Sequence, residues 1–399
     1  MTDNISSWSN LTIAGKAALA ANGSLVAVSL FSMGAALRPL EQDFAGAPGS
    51  ALLVQLIGVI VGPVFAFTSP FAGRMVKRFG IRPAYITSIL LIAGAGAGPA
   101  LCSNLYAILA LRVLLAIAVA FGLTAAMSGI ARLPEGQRPL LLGLNTFLGG
   151  LLCLPLFPLV GFLAEQSWRA AFLVHLVALP VIGLVLALPR EEPSRQDAGD
   201  AHAGSGSAGL LAGVPPALAI IAALGGLVMV ASSIYSPFKL ATIGVTQPAK
   251  VGQLLGLMTL FSLAGSGGFS LLHRLLGLSG VLKLALGAKC LGCLIVGIAH
   301  NVPVVVVGMA LLGIGVSLFA AAIYAAAIEK AEAGANVPAA MGIITLCMYG
   351  SQLAMPVLGG SLGKVAGPAA VYYLLGVAMA VAVLLALMLD RRDGRATGS

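Results

Sequence analysis

Arg112 carries the sharpest chemical demand in this chain. It stands in LALRVLLAIAVAFG, inside an apolar run. Seven residues at 1.5 Å each put it ~10 Å from the helix end. A guanidinium at that depth must face a partner, a cavity or a substrate, or else snorkel to the surface. Acids that could answer it are scarce, because all thirteen Asp and Glu residues fall in loops, tails or run ends. The groups able to carry a proton are then Glu165 and Glu329 at run ends, and His175. His175 sits ~10 Å inside Trp168 on helix geometry, and imidazole titrates near neutrality. A hydrogen-bonded packing role is the alternative for His175.

Polar side chains also punctuate the other apolar runs. They are Asn22, Ser29 and Ser32, then Gln55, then Asn145, then Ser232, Ser233, Tyr235 and Ser236, then Tyr324, and finally Tyr349 and Gln352. Such groups either hold a small organic molecule or satisfy themselves on their own and neighbouring helices. Other chemistries find no support. Cys290 and Cys293 have C-x-x-C spacing but no second ligand pair, so they read as small membrane-core residues and no metal is expected. Gly359 to Val365 faintly resembles a phosphate loop, but the spacing is wrong and Val365 stands where Ser or Thr belongs. HExxH is absent. The expectation is a protein that is not an enzyme and holds no cofactor.

The elements that position these residues follow from composition. Hydrophobic residues make up 59% of the 399 and charged ones 9%, against about 25% charged in a soluble domain. Mean hydropathy is +1.04. The bilayer is thus the expected surrounding. The net charge of +9 lies in short loops between apolar runs, with no basic stripe interleaved with aromatics, which argues against nucleic acid. Spanning takes about 20 apolar residues. Twelve runs qualify: 15–37, 50–72, 83–103, 105–131, 139–164, 169–189, 212–236, 250–273, 281–299, 303–328, 338–362 and 367–389. They are continuous rather than alternating, so helices and not a β-barrel are expected. Residues 1–15 are polar and lack a basic stretch, so the first run is expected to stay as the first helix.

Lys and Arg set the orientation. With the N-terminus inside, 15 basic residues fall on the inner side and 5 on the outer, with Arg112 and Lys289 left inside helices. Both termini are therefore expected in the cytoplasm, in a plasma (inner) membrane. Residues 190–211 read REEPSRQDAGDAHAGSGSAGLL, a composition that buries no core and suits a cytoplasmic linker. It separates residues 1–189 from 212–399, six runs each. The halves echo each other. LVAV at 25–28 recurs as LVMV at 227–230, Gly80 of RFG as Gly277 of LLG, and Pro158-Leu-Val-Gly161 as Pro356-Val-Leu-Gly359. Similar offsets on either side of a linker indicate a duplicated half. The fold expected is all-α integral membrane, twelve transmembrane helices in two pseudo-repeated six-helix bundles.

This organisation resembles the major facilitator superfamily, and local motifs agree. Gly73-Arg-Met-Val-Lys-Arg-Phe-Gly-Ile-Arg82 is similar to that family's G-x-L-x-D-R-x-G-R-R/K loop between helices 2 and 3. Gly73, Arg78, Gly80 and Arg82 match, and Lys77 replaces the Asp. The glycines suit a tight turn and close helix approach, the arginines the cytosol and anionic lipid. Arg112 matches the Arg of R-x-x-Q-G in helix 4, with Leu115 and Ala116 in place of Gln and Gly. The stretch from Phe157 to Phe172 resembles G-P-x-x-G-G-x-x-x-E…W-R-x-x-F through Pro158, Gly161, Trp168, Arg169 and Phe172, with Glu165 one residue ahead of the motif's Glu and with Phe157 and Phe162 replacing glycines. The full glycine pattern marks proton-coupled drug antiporters.

The resemblance implies a monomeric secondary transporter whose two bundles rock about a site near the midplane. It exports a small amphipathic organic compound, with protons as the candidate coupling ion. The substrate-contact set expected is Asn22, Ser29, Ser32, Gln55, Arg112, Asn145, Ser233, Tyr235, Tyr324, Tyr349 and Gln352. The coupling or gating set is Gly73, Arg78, Gly80, Arg82, Arg112, Pro158, Gly161, Glu165 and His175. Two rivals stand beside it: uptake of a small organic anion with Arg112 as counter-charge, and a non-transporting membrane receptor or scaffold.

Overall fold

The computed structural model describes residue 8 and residues 11–189, 214–332 and 337–396. All regular elements among the described residues are helical. Among the described residues ten helices are long and apolar enough to span, or eleven with one bent pair, and two rules of helix geometry relate these to the twelve expected. First, α2 consists of Ser50–Val59 and Val61–Phe79, bent by 46°. Pro63 explains the break: it has no N–H for the Val59 carbonyl four residues earlier and its ring crowds that carbonyl. Second, Pro248–Ile298 runs for 51 residues but is broken at Gly277, which divides it into α8 and α9. The remaining spans are α1 (Ile13–Asp43), α3 (Ile81–Leu101), α4 (Leu105–Ala131), α5 (Leu140–Gln166), α6 (Trp168–Val185), α7 (Pro216–Ile234), α10 (Val302–Glu329), α11 (Ala340–Leu358) and α12 (Pro368–Leu389).

The chain divides into two compact units, Met1–Ala203 and Gly204–Ser399. The expected linker at 190–211 lies outside the described residues. In the first unit α1 packs on α5 and α4, α2 on α4, and α3 on α4 and α6. In the second, α7 packs on α10, α11 and α12, and the α8–α9 run lies along α10 and α12. Large apolar side chains such as Phe67, Leu90, Phe147, Leu291 and Leu384 stay exposed on the bundles, as lipid-facing surface requires.

The duplication is visible in backbone detail. Gly80 joins α2 to α3 at φ 86° and ψ 158°; Gly277 joins α8 to α9 at φ 66° and ψ 174°. Both lie in a region of backbone space that is essentially glycine-only, and they are the pair matched from sequence. Closer still is the fit of helix faces. A Cβ on Gly23 of α1 would collide with the carbonyl oxygen of Asn145 on α5, and one on Gly226 of α7 with that of Met348 on α11. Gly226 and Met348 each lie 203 residues beyond Gly23 and Asn145. Small residues let membrane helices approach to backbone contact, and both halves do so at equivalent places.

One expectation changes. The motif at 73–82 is helical as far as Phe79, and the turn is Gly80 alone. Gly73 lies inside the helix with open space where a Cβ would be, so close approach does not account for it. The apolar run ended at 72 because charge begins there, but the last turns of α2 continue as a polar, amphipathic extension.

Candidate functional site

Arg112 is fully buried. Its Nε donates to the carbonyl of Ile57 at 3.2 Å, in the turn of α2 just before the bend. Its Nη2 donates to the carbonyl of Ser29 on α1 at 3.5 Å. Nη1 is buried with no hydrogen-bond partner, and so are Ser32 Oγ, His175 Nε2 and Asn22 Nδ2. The guanidinium therefore ties α4 to α1 and α2 through backbone oxygens, and it does not snorkel. Arg169 pairs with Asp43, and among the described residues no ion pair to Arg112 is present. His175 lies within electrostatic reach of Arg112. Its Nδ1 is 2.9 Å from the Phe172 carbonyl, and its ring fills the space left by Gly96 on α3. Arg112, His175 and Ser32 thus supply one charge and further polar atoms with unused hydrogen-bonding capacity, in a setting where such capacity is costly to leave idle.

The other residues expected at the site divide between contact-capable and self-satisfied. In the first unit Asn145 Nδ2 donates to the Leu19 carbonyl at 3.0 Å, and Ser29 Oγ to Leu25 on its own helix at 2.8 Å. Gln55 is buried near the same turn of α2. In the second unit Tyr324 Oη and Thr345 Oγ1 are 3.1 Å apart, bridging α10 and α11, and Tyr349 is close enough to Tyr324 to interact with it. Tyr235 Oη donates to the Met355 carbonyl at 3.1 Å. Ser233 and Gln352 are buried.

Of the gating set, Arg82 Nη1 donates to the Leu188 carbonyl beyond α6 at 3.2 Å, while Arg78 lies 5.8 Å over the ring of Phe79. Pro158 and Gly161 sit within α5, which runs on through Pro155 and Pro158 as one helix. Glu165 is exposed at the end of α5, and the structure does not bring it to Arg112.

Two residues were missed as candidates. Asp43, at the end of α1, accepts from Trp168 Nε1 at 2.9 Å and from Arg169 Nη1 at 3.5 Å. Arg169 also donates to the Cys102 carbonyl after α3 and lies 4.1 Å over the Trp168 ring. The W-R-x-x-F residues therefore clamp α1, α3 and α6, and the acid of the clamp is Asp43 rather than Glu165. Lys289 is the other. It is fully buried, donates to the Gly225 carbonyl of α7 at 2.8 Å, and lies 3.9 Å over the ring of Phe319 on α10. Its sequence signal, a cation inside an apolar run, is the one Arg112 gives.

Two pseudo-repeated bundles of spanning helices, each with a buried cation and a scatter of hydroxyls and amides, define a polytopic membrane protein of the transporter class. Residues 17–295 and 275–398 match the profile of the Major Facilitator Superfamily, and the chain belongs to that family. No curated protein is a significant match by sequence. Among solved structures, a POT family transporter in complex with 5-aminolevulinic acid superposes with a TM-score of 0.76 at 13% identity, covering 96% of each chain. A D-xylose–proton symporter gives 0.74 at 16% identity, covering 94% of this chain and 96% of the other. The nucleoside transporter NupG, in a point-mutant form, gives 0.71 at 12%, covering 93% and 99%. At these identities the likeness speaks for the fold.

Proposed function

We propose that the chain is a secondary active transporter that exports a small amphipathic organic compound by alternating access in exchange for protons. The observation that carries the reading is the Arg112–His175 pair. A buried cation with an unused Nη1 lies within electrostatic reach of a buried imidazole with an unused Nε2, which supplies a charge and an imidazole without any mid-membrane acid. Support also comes from the Pro158…Gly161 stretch resembling the antiporter motif. Substrate contacts are proposed for Asn22, Ser29, Ser32, Gln55 and Asn145 within the first unit and for Ser233, Tyr235, Tyr324, Tyr349 and Gln352 within the second. These are hydroxyls and amides on apolar helices, suited to a molecule with few charges.

The second reading is uptake of a small organic anion gripped by Arg112. Its specific support is the buried Arg112 Nη1, which has no hydrogen-bond partner. A thermal-shift screen of the purified protein against metabolites and drugs at two pH values separates the two. Stabilisation by neutral or cationic amphiphiles that changes with pH supports the exporter. Stabilisation confined to carboxylates overturns it in favour of the anion. A hit is then tested for accumulation in vesicles under an imposed pH gradient.

A further inference from the structure

The charged end of α2 carries more cations than the turn at Gly80 needs. Arg74, Lys77 and Arg78 are all exposed there, and residues 73–82 hold no acid, because Lys77 stands where the family motif has Asp. Among the described residues none of the three cations is in an ion pair. The Arg74 guanidinium lies 4.9 Å over the ring of Phe71 and that of Arg78 5.8 Å over the ring of Phe79. Arg82 differs, since it is tied to the Leu188 carbonyl. Helix geometry sorts this end of α2 into two faces. Phe65, Ala72 and Val76 are buried on one. Phe67, Phe71, Arg74 and Arg78 follow at i, i+4, i+7 and i+11 along the opposite one, with Met75 and Phe79 at its flank, and all six are exposed.

The repeat identifies what that exposed face meets. The step from Gly80 to Gly277 carries Arg74 to Leu271 and Arg78 to Leu275. These leucines are 55% and 70% exposed at the end of α8. A face that shows leucines in one copy, and Phe67 and Phe71 in the other, is turned to lipid rather than water. A guanidinium on such a face reaches for the headgroup level, where the anion at hand is phosphate, and its planar fork fits phosphate oxygens. Arg74 and Arg78 are one turn apart, about 6 Å along the axis, so one phosphate can lie between them. We propose that the end of α2 binds the headgroup of an anionic phospholipid. Arg74 and Arg78 hold the phosphate, Lys77 adds charge, and an acyl chain lies along Phe71 and Phe67. The second unit lacks this site, because leucines stand where the two arginines would be. A lipid held here loads the last turn before Gly80, so membrane composition bears on the joint between α2 and α3.

The site is independent of what the chain carries, and its test reads lipid rather than transport. Native mass spectrometry follows the purified protein as phosphatidylglycerol or phosphatidylcholine of equal chain length is titrated in. Wild type should hold one phosphatidylglycerol in preference to phosphatidylcholine. Each basic residue near an anionic surface is worth about fivefold in affinity, so Arg74→Gln with Arg78→Gln should weaken that binding about 25-fold. Lys77→Asp, which removes one charge and adds the opposite one, should weaken it by a similar factor. Leu271→Arg with Leu275→Arg should let the second unit hold a further phosphatidylglycerol. Inorganic phosphate at the same concentration should not displace the lipid, because it offers nothing to Phe67 and Phe71. Equal binding of the two lipids by wild type, an unchanged preference in the Arg74/Arg78 variant, or displacement by inorganic phosphate overturns the proposal. If the Arg74/Arg78 variant does not fold, the leucine variant decides, and its failure to gain a lipid overturns the proposal too.

Discussion

At the scale of single residues, the sequence exposed the cations but not what holds them. Arg112 and Lys289 are legible because each interrupts an apolar run. Their partners are backbone carbonyls of Ile57, Ser29 and Gly225, and every residue has a carbonyl, so no spacing rule could point to these. Acids are scarce in the apolar runs, and Glu165 was a candidate both as an acid at a run end and as a near match to a motif. Its exposure at the end of α5 now sorts the variants. Under the proton reading, Arg112→Ala should uncouple transport from the pH gradient, and His175→Ala should shift its pH profile. Glu165→Gln should leave the profile in place. Under the anion reading, Arg112→Lys keeps the charge but loses the planar fork, so substrate affinity weakens with little change in pH dependence. Transport by Arg112→Ala with both affinity and pH response intact would end both readings.

At the scale of elements, spacing and glycine content predicted the helices well and the turns poorly. Charge ended the second apolar run in the sequence reading, but charge does not end a helix, and α2 carries on to Gly80. Glycines at close approaches could be recognised only as small residues in apolar surroundings, since it is Asn145 and Met348 on distant helices that make Gly23 and Gly226 indispensable. Three substitutions separate the reasons a glycine is needed. Gly80→Ala forces a side chain into glycine-only backbone space and should cost about 1–3 kcal/mol. Gly23→Ala overpacks the α1–α5 contact and should cost a similar ~1–3 kcal/mol, as should Gly226→Ala between α7 and α11. Gly73→Ala meets open space in a helix and should be neutral or stabilising by ~0.4–1 kcal/mol. Thermal unfolding in detergent, read beside membrane yield, gives the order. If Gly73→Ala is as harmful as Gly80→Ala, the distinction drawn from the backbone is wrong.

At the scale of the whole molecule, the duplication was the most secure inference, because one cause produced many small matches. The Gly80–Gly277 pair proposed from three-residue strings shares a rare backbone state, and the helix contacts at Gly23 and Gly226 repeat at one offset. The buried cations break the symmetry. The 197- to 202-residue offsets of the sequence matches bring Lys289 to residues 87–92 of α3, which carry no charge, rather than to Arg112 on α4, so the halves have taken on different charges since they were one. Orientation rests on a different argument. From fifteen basic residues against five and the positive-inside rule, we propose that both termini and the 190–211 segment are cytoplasmic. Charges in short loops count in that rule because each must stay behind while its helices insert. The test needs a background in which the five native cysteines are replaced by Ala, since two of them are buried and three half-buried. Single Ala201→Cys and Gly398→Cys variants should then resist a membrane-impermeant thiol reagent in intact cells and react once the cells are opened. A cysteine in place of Val365, exposed after α11, should react in intact cells. Labelling of Ala201→Cys or Gly398→Cys before lysis would invert the topology.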